Sequence, residues 1–131
     1  MTRKLIYAKT NNAFSEILQL FLSKNIHHLP IMNDDDELIG IVSSHDVLNA
    51  LSNLIYRPNQ KIDIDNVDEE VKIEDIMTSN PTVISPEETL GNAAIIFATH
   101  KFQALPIVDG SGKLQGILTS RDIVNEFAVN R

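Results

Sequence analysis

A formal charge of −7 on 131 residues, with no cysteine, sets several function classes aside at once. That charge disfavours phosphate-driven, non-specific binding to nucleic acid, and without thiols there is neither a disulfide framework nor a thiolate metal site. The composition, 43% hydrophobic and 22% charged, is that of a globular domain. No apolar run nears the ~20 residues of a membrane helix, so a cytoplasmic protein with no membrane partner is expected.

The segment Met1–Tyr7 is basic but is followed by no apolar run of secretory-signal length, so it reads as the approach to a short strand near Leu5–Ala8. Phe14, Ile17, Leu18 and Phe21 then recur at helical spacing, which predicts a helix over 11–24 with Asn11 or Asn12 as its cap. Two apolar runs, 28–32 and 38–42, flank Asn33-Asp34-Asp35-Asp36 and predict a β-hairpin. A second helix follows, its apolar face at Val47, Leu48 and Leu51.

The stretch that comes next is acidic. Between Ile62 and Asp75 seven acids face the single Lys72, which accounts for −6 of the net charge and leaves the remainder of the chain nearly neutral. Its first part reads as a solvated linker, and its end, Val71–Met77, as a short helix feeding a strand at Thr82–Ser85. Asp63, Asp65 and Glu74 stand at positions 1, 3 and 12 of a calcium loop. Val67 at position 5, and Asp68 where the turn needs glycine, reject that reading.

From here the pattern repeats at an offset of 76. Leu90, Ala93, Ala94 and Phe97 match the first helical face and predict a helix over 87–100, with Pro86, Glu87 and Glu88 suited to its first turn. Runs 104–108 and 114–118 flank Asp109-Gly110-Ser111-Gly112 as a second hairpin, and Ile123, Val124 and Phe127 mark a last helix. Leu29-Pro30-Ile31-Met32 and Gly40–Asp46 reappear as Leu105-Pro106-Ile107-Val108 and Gly116–Asp122. The fold class is therefore α/β (α+β): two copies of strand, helix, strand, strand, helix, each with an incomplete apolar face. Two such copies are expected to pack about a pseudo-twofold axis rather than form a solenoid.

These residues resemble the cystathionine-β-synthase (CBS) domain, a β-α-β-β-α motif that occurs in tandem. The second copy has nearly the whole pattern: Asp75-Ile76-Met77, Pro81-Thr82-Val83, Ala104–Asp109 and Gly116–Asp122. The first carries Ile26–Ile31 and Gly40–Asp46 but lacks the lead-in helix. The resemblance implies a first motif at 1–55, an acidic linker at 56–70 and a second motif at 71–131. It further implies a stand-alone regulatory pair, not an enzyme, that homodimerises and needs no cofactor. In its clefts between motifs it would take an adenosine-containing regulatory ligand: AMP, ADP, ATP, S-adenosylmethionine or NAD. Carried over by position, Ser43 and Thr119 supply hydroxyls and Asp46 and Asp122 the acids that take the ribose. His45, Ser120 and Arg121 flank those acids, His27 and His28 match phosphate-approaching positions, and Thr82, Val83, Ala104 and Pro106 fall on the remaining wall. Gln103 and Ala104, uncharged, depart from the two basic residues of the first copy.

The chemistry of the residues agrees with such a role and also with a plainer one. An ionised carboxylate can accept from both vicinal hydroxyls of a ribose. Ser43-x-x-Asp46 and Thr119-x-x-Asp122 are equally capping boxes that satisfy the free N–H groups opening a helix, and a helix start can also receive phosphate. Arg121 can fork onto phosphate oxygens or stand solvated at the surface. His27 and His28 are adjacent on a strand entrance, so they point to opposite faces and do not make one metal site. No metal site is assigned, and no nucleophile with an adjacent base and no glycine-rich phosphate loop points to catalysis. The readings left open are a ligand sensor, a ligand-free dimerisation scaffold, and a regulatory piece of a larger transporter or enzyme.

Overall fold

The computed structural model describes residues 5–55 and 66–129, so the part of the expected linker at 56–65 lies outside the described residues. The chain divides into two compact units, one of Ile6–Asn80 and the other carrying the chain from Pro81 onward.

In the first unit the order is β1 (Ala8–Lys9), α1 (Phe14–Lys24), β2 (His28–Met32), β3 (Leu38–Ser43), α2 (Ser44–Ile55), α3 (Val67–Glu70), α4 (Ile73–Ile76) and β4 (Thr78–Ser79). The strands form one sheet in the order β1-β2-β3-β4. β1 runs parallel to β2 with Ala8 beside Ile31, and β2 and β3 are an antiparallel hairpin in which His28 pairs with Ser43. The core gathers Phe14 and Ile17 of α1, Leu29 and Ile31 of β2, Val42 of β3, and Val47 and Ala50 of α2. Fully burying one such leucine, isoleucine or phenylalanine contributes about 1.5–3 kcal/mol.

The second unit has a bridge at Ile84, then α5 (Leu90–Thr99), β5 (Ala104–Val108), β6 (Leu114–Thr119) and α6 (Ser120–Val129). The strand expected at Thr82–Ser85 is reduced to that one parallel bridge, Ile84 to Ile107. Two bonds hold it: the Ile84 N–H donates to the Pro106 carbonyl at 3.0 Å and the Val108 N–H to the Ile84 carbonyl at 2.9 Å. The Pro106 nitrogen faces the same side as its carbonyl, so the hairpin ladder with β6 loses nothing to the proline. Leu105, Ile107, Leu118, Ala93, Ile123 and Ile84 make this unit's core.

Both first helices begin about three residues later than their apolar spacing predicts. Neither asparagine caps α1: Asn12 Oδ1 accepts the Lys9 N–H at 2.7 Å, and Glu16 Oε1 reaches back to the Ala13 N–H at 2.9 Å. In the second unit Pro86 and Glu87 form a turn, with Ser85 Oγ accepting the Glu87 N–H, and Thr89 Oγ1 caps α5 by accepting from Asn92 N at 3.1 Å. The last helices also differ from expectation. Val47 and Ile123 are buried, but Leu48, Val124 and Phe127 lie 59%, 66% and 55% exposed.

The hairpin tips are built alike. Asn33 Oδ1 accepts from the Asp35 and Glu37 N–H groups, both at 2.9 Å, and Asp109 Oδ1 from those of Ser111 and Lys113 at 2.9 and 3.0 Å. These donors, first the Ser111 hydroxyl, hold the Asp109 carboxyl below its usual range. Four residues into each tip the backbone turns left-handed, at Gly112 with φ 85° and at Asp36 with φ 59°. Glycine takes that conformation without a Cβ clash, and aspartate is among the few other residues that tolerate it.

The segment from Asn66 to Asn80 belongs to the first unit. Ile73 enters that core at 3% exposure, with Val67, Val71, Ile76 and Met77 packed against it. Asp68 accepts from both the backbone N–H and the hydroxyl of Ser15, each at 2.8 Å, so an acid of the charged stretch neutralises the positive start of α1. β4 then pairs with β3, Ser79 opposite Gly40. A Cβ built on Gly40 would run into the Met77 side chain and come within 3.1 Å of the Thr78 carbonyl oxygen. The close approach of this segment therefore depends on glycine.

Candidate functional site

In each unit the second strand of the hairpin runs directly into a helix, and the junction is a reciprocal pair. The Ser43 N–H donates to Asp46 Oδ2 at 2.8 Å while the Asp46 N–H donates to Ser43 Oγ at 3.0 Å. Thr119 and Asp122 repeat this at 2.9 and 3.1 Å. The capping box is thus formed in both copies, each cap contributing about 1 kcal/mol to its helix. The pair consumes one carboxylate oxygen. Oδ1 of Asp46 and Oδ1 of Asp122 have no hydrogen-bond partner among the described residues, so each acid caps its helix and keeps an acceptor in reserve.

The first unit brings four of the sequence-predicted residues together at this junction. His28 pairs with Ser43 across the hairpin, the His27 carbonyl accepts the Ser44 N–H at 2.9 Å, and Asp46 lies near enough to His28 to act on its charge. His27 and His45 are exposed. Burial pushes the His28 imidazole below its ordinary value of 6.5, His27 adds to the shift, and Asp46 opposes it. A histidine neutral in the fold but protonated on unfolding contributes stability above its unfolded pKa, and that stability is lost as pH falls below it. The melting temperature should therefore drop between about pH 7.5 and 5.5, before carboxylates titrate, and His28→Gln should flatten the drop. An equal drop in the variant would remove His28 from the effect.

In the second unit the place of His28 is taken by Ala104, which pairs with Thr119. Asp122 here lines a cavity of about 270 Å³, walled by Ile84, Ile107, Leu118 and Ala93, with Leu90 and Thr89 at the start of α5. Glu88 and Glu126 also reach it. A chamber lined by both apolar side chains and polar groups is a usual form of a small-molecule pocket, and this one is slightly below the common ~300–1,000 Å³ range. Ser120 and Arg121 are exposed on the first turn of α6, Thr82 and Val83 are exposed, and Pro106 is fully buried. None of these five is in the cavity wall. Sequence reasoning picked Asp122 and missed the wall around it. The available signal was the small Ala93 at a helical position where the first copy has Ile17.

Among the described residues no cluster of histidine and acid side chains could hold a metal ion, and no helix is long and apolar enough to cross a membrane.

The sequence model of the CBS domain matches residues 1–53 and 73–129. An uncharacterized protein of Methanocaldococcus jannaschii, MJ1225, is 33% identical over 124 residues, covering 95% of this chain and 40% of that protein. Across four of the curated relatives it matches the chain spans only 19% to 58% of their length. Among solved structures, CBSX2 in complex with AMP superposes with a TM-score of 0.77 at 29% identity, covering 98% of this chain and 91% of that one. The CBS domain pair of protein MJ0100, in complex with 5′-methylthioadenosine and S-adenosyl-L-methionine, gives 0.81 at 27% identity, covering 100% and 94%.

Proposed function

We propose a regulatory, ligand-binding function for this chain, which belongs to the CBS domain family through both of its copies. The ligand is an adenosine-containing molecule held in the cavity of the second unit. One observation carries this reading: Asp122 spends a single carboxylate oxygen on its helix cap and is also a residue of the cavity wall, beside Ile84, Ile107, Leu118 and Ala93. The free oxygen suits the vicinal hydroxyls of a ribose, and Ile84, Ile107, Leu118 and Ala93 suit a flat base. Two similar solved structures hold AMP in one case, and methylthioadenosine with S-adenosylmethionine in the other. The module does no chemistry of its own and passes occupancy on through its contacts.

Two further features belong to the proposal. Ile123, Val124 and Phe127 of α6, with Ala94 of α5, border an open apolar groove, a surface suited to a second copy in a homodimer. A cytoplasmic setting is part of the proposal, as a place where a sensor meets adenosyl compounds.

A thermal-shift panel tests the reading. A ligand at 100 times its Kd should add about 2.7 kcal/mol of stability. Asp122 and Glu88 are carboxylates on the cavity wall, and no basic side chain lines it among the described residues. S-adenosylmethionine, with its sulfonium, and uncharged 5′-methylthioadenosine are therefore expected to outrank ATP. No shift with any adenosyl compound at millimolar concentration would favour a ligand-free dimerisation scaffold.

A further inference from the structure

We infer that Glu88 sets which charge the cavity of the second unit admits at the 5′ carbon of its ligand: its carboxylate, bonded at the start of α5, disfavours a phosphate and admits an uncharged or cationic group. The inference rests on the binding function proposed above and adds a specificity-determining residue to that site.

The start of a helix is ordinarily a place that receives phosphate, because its first N–H groups have no partner within the helix and the dipole is positive there. α5 offers such a start to the cavity, since Thr89, Leu90 and Ala93 are residues of the wall. Here the chain's own side chains are bonded to it. The Asn92 N–H donates to Thr89 Oγ1 at 3.1 Å, the Thr89 N–H donates to Glu88 Oε1 at 3.2 Å, and the Asn92 side-chain amide donates to the same oxygen at 2.9 Å. The Glu88 N–H in turn donates to the Ser85 carbonyl at 3.1 Å, so the residue is held through backbone and side chain alike. A full negative charge stands beside a pole worth about half a positive one. A phosphate arriving there meets net repulsion.

The rest of the wall does not offset that charge. Asp122 and Glu126, one turn apart on α6, are wall residues too, and among the described residues no basic side chain is. Arg121, beside Asp122 in the chain, is exposed and outside the wall. Nor does the cavity offer a remote seat. A sphere of 270 Å³ is about 8 Å across, no more than the Debye length at physiological salt, so a charge anywhere inside it feels the wall. Asp122 and Glu126 add to the same field, but Glu88 is the acid bonded where a phosphate would be received.

Three compounds that share the adenosine and differ at the 5′ carbon test this: 5′-methylthioadenosine carries an uncharged thioether, S-adenosylmethionine a sulfonium and AMP a phosphate. Isothermal titration of the full chain should rank AMP last, with its affinity rising and that of S-adenosylmethionine falling as salt is added. In Glu88→Gln, whose amide oxygen can still accept from Thr89, AMP should gain about two- to fivefold and S-adenosylmethionine lose a similar factor, as fits one exposed charge. Glu88→Lys, with twice the change in charge, should raise the AMP gain to about tenfold. 5′-Methylthioadenosine should bind both variants as it binds the wild type. Unchanged AMP affinity in both variants, or an equal loss of all three compounds, overturns the inference and leaves the binding function standing. Should the variants fail to fold, the wild type decides, and AMP binding that weakens with added salt overturns the inference. A wild-type chain that takes up none of the three compounds overturns both.

Discussion

Asp122→Ala should weaken binding of the adenosyl ligand about tenfold or more, the largest loss expected from any single polar substitution in the chain. Hydrogen bonds to a charged acceptor are worth about 1.5–3 kcal/mol, and about 1.4 kcal/mol is a factor of ten in affinity. The same change removes half of a reciprocal cap, since the Thr119 N–H loses the acceptor it now has at 2.9 Å, with a cost to the helix of about 1 kcal/mol. Asp122→Asn separates the two roles. Its amide oxygen can still accept from Thr119, so the melting temperature should stay close to that of the wild type. The charge that would hold the ribose hydroxyls is gone, so calorimetric affinity should still fall. Equal affinity in Asp122→Asn and wild type would end the ribose assignment and leave the acid as a cap alone.

Gly40→Val should have the largest effect on stability. The backbone of β4 and the Met77 side chain close over Gly40 so tightly that even a methyl group meets Met77 and comes to 3.1 Å from the Thr78 carbonyl. Met77 can swing aside, but the Thr78 carbonyl is fixed by the pairing of Thr78 with Ile41. Overpacking of this kind typically costs about 1–3 kcal/mol, to be read as a lowered urea midpoint. An unchanged midpoint would mean that β4 gives way without loss and that its pairing contributes little.

Much of the architecture was legible because it is periodic or paired. Both hairpins were visible as apolar runs around turn residues, and the Ser43/Asp46 and Thr119/Asp122 boxes as a hydroxyl and an acid three apart. Helix starts were less legible because periodicity says where a face lies and not where its first turn closes. At Ala13 the cap is supplied by Glu16 from inside the helix, and no residue at the start announces it. The docking of Asp68 on Ser15 joins positions 53 apart, and nothing local to either marks the other. Exposure of Leu48, Val124 and Phe127 was hidden for a related reason: an apolar stripe reads the same whether its own unit or something else covers it. The cavity is an intermediate case. The difference in size between Ala93 and Ile17 can be read off the repeat, but only packing tells whether a smaller side chain leaves a void or lets its neighbours close in.

The placement of residues 66–80 has a consequence for how such a protein can be divided or evolve. The repeat in the sequence and the unit in space are out of phase, because β4, which carries the lead-in to the second copy, is hydrogen-bonded into the sheet of the first. A gene fragment cut where the second motif begins would strip the first unit of its outer strand, Ile73 and the cover over Gly40. One cut after Asn80 would keep them. Duplication of a motif in the chain is thus not the same event as duplication of a self-sufficient fold, and a copy lifted out along its sequence boundaries leaves part of itself behind.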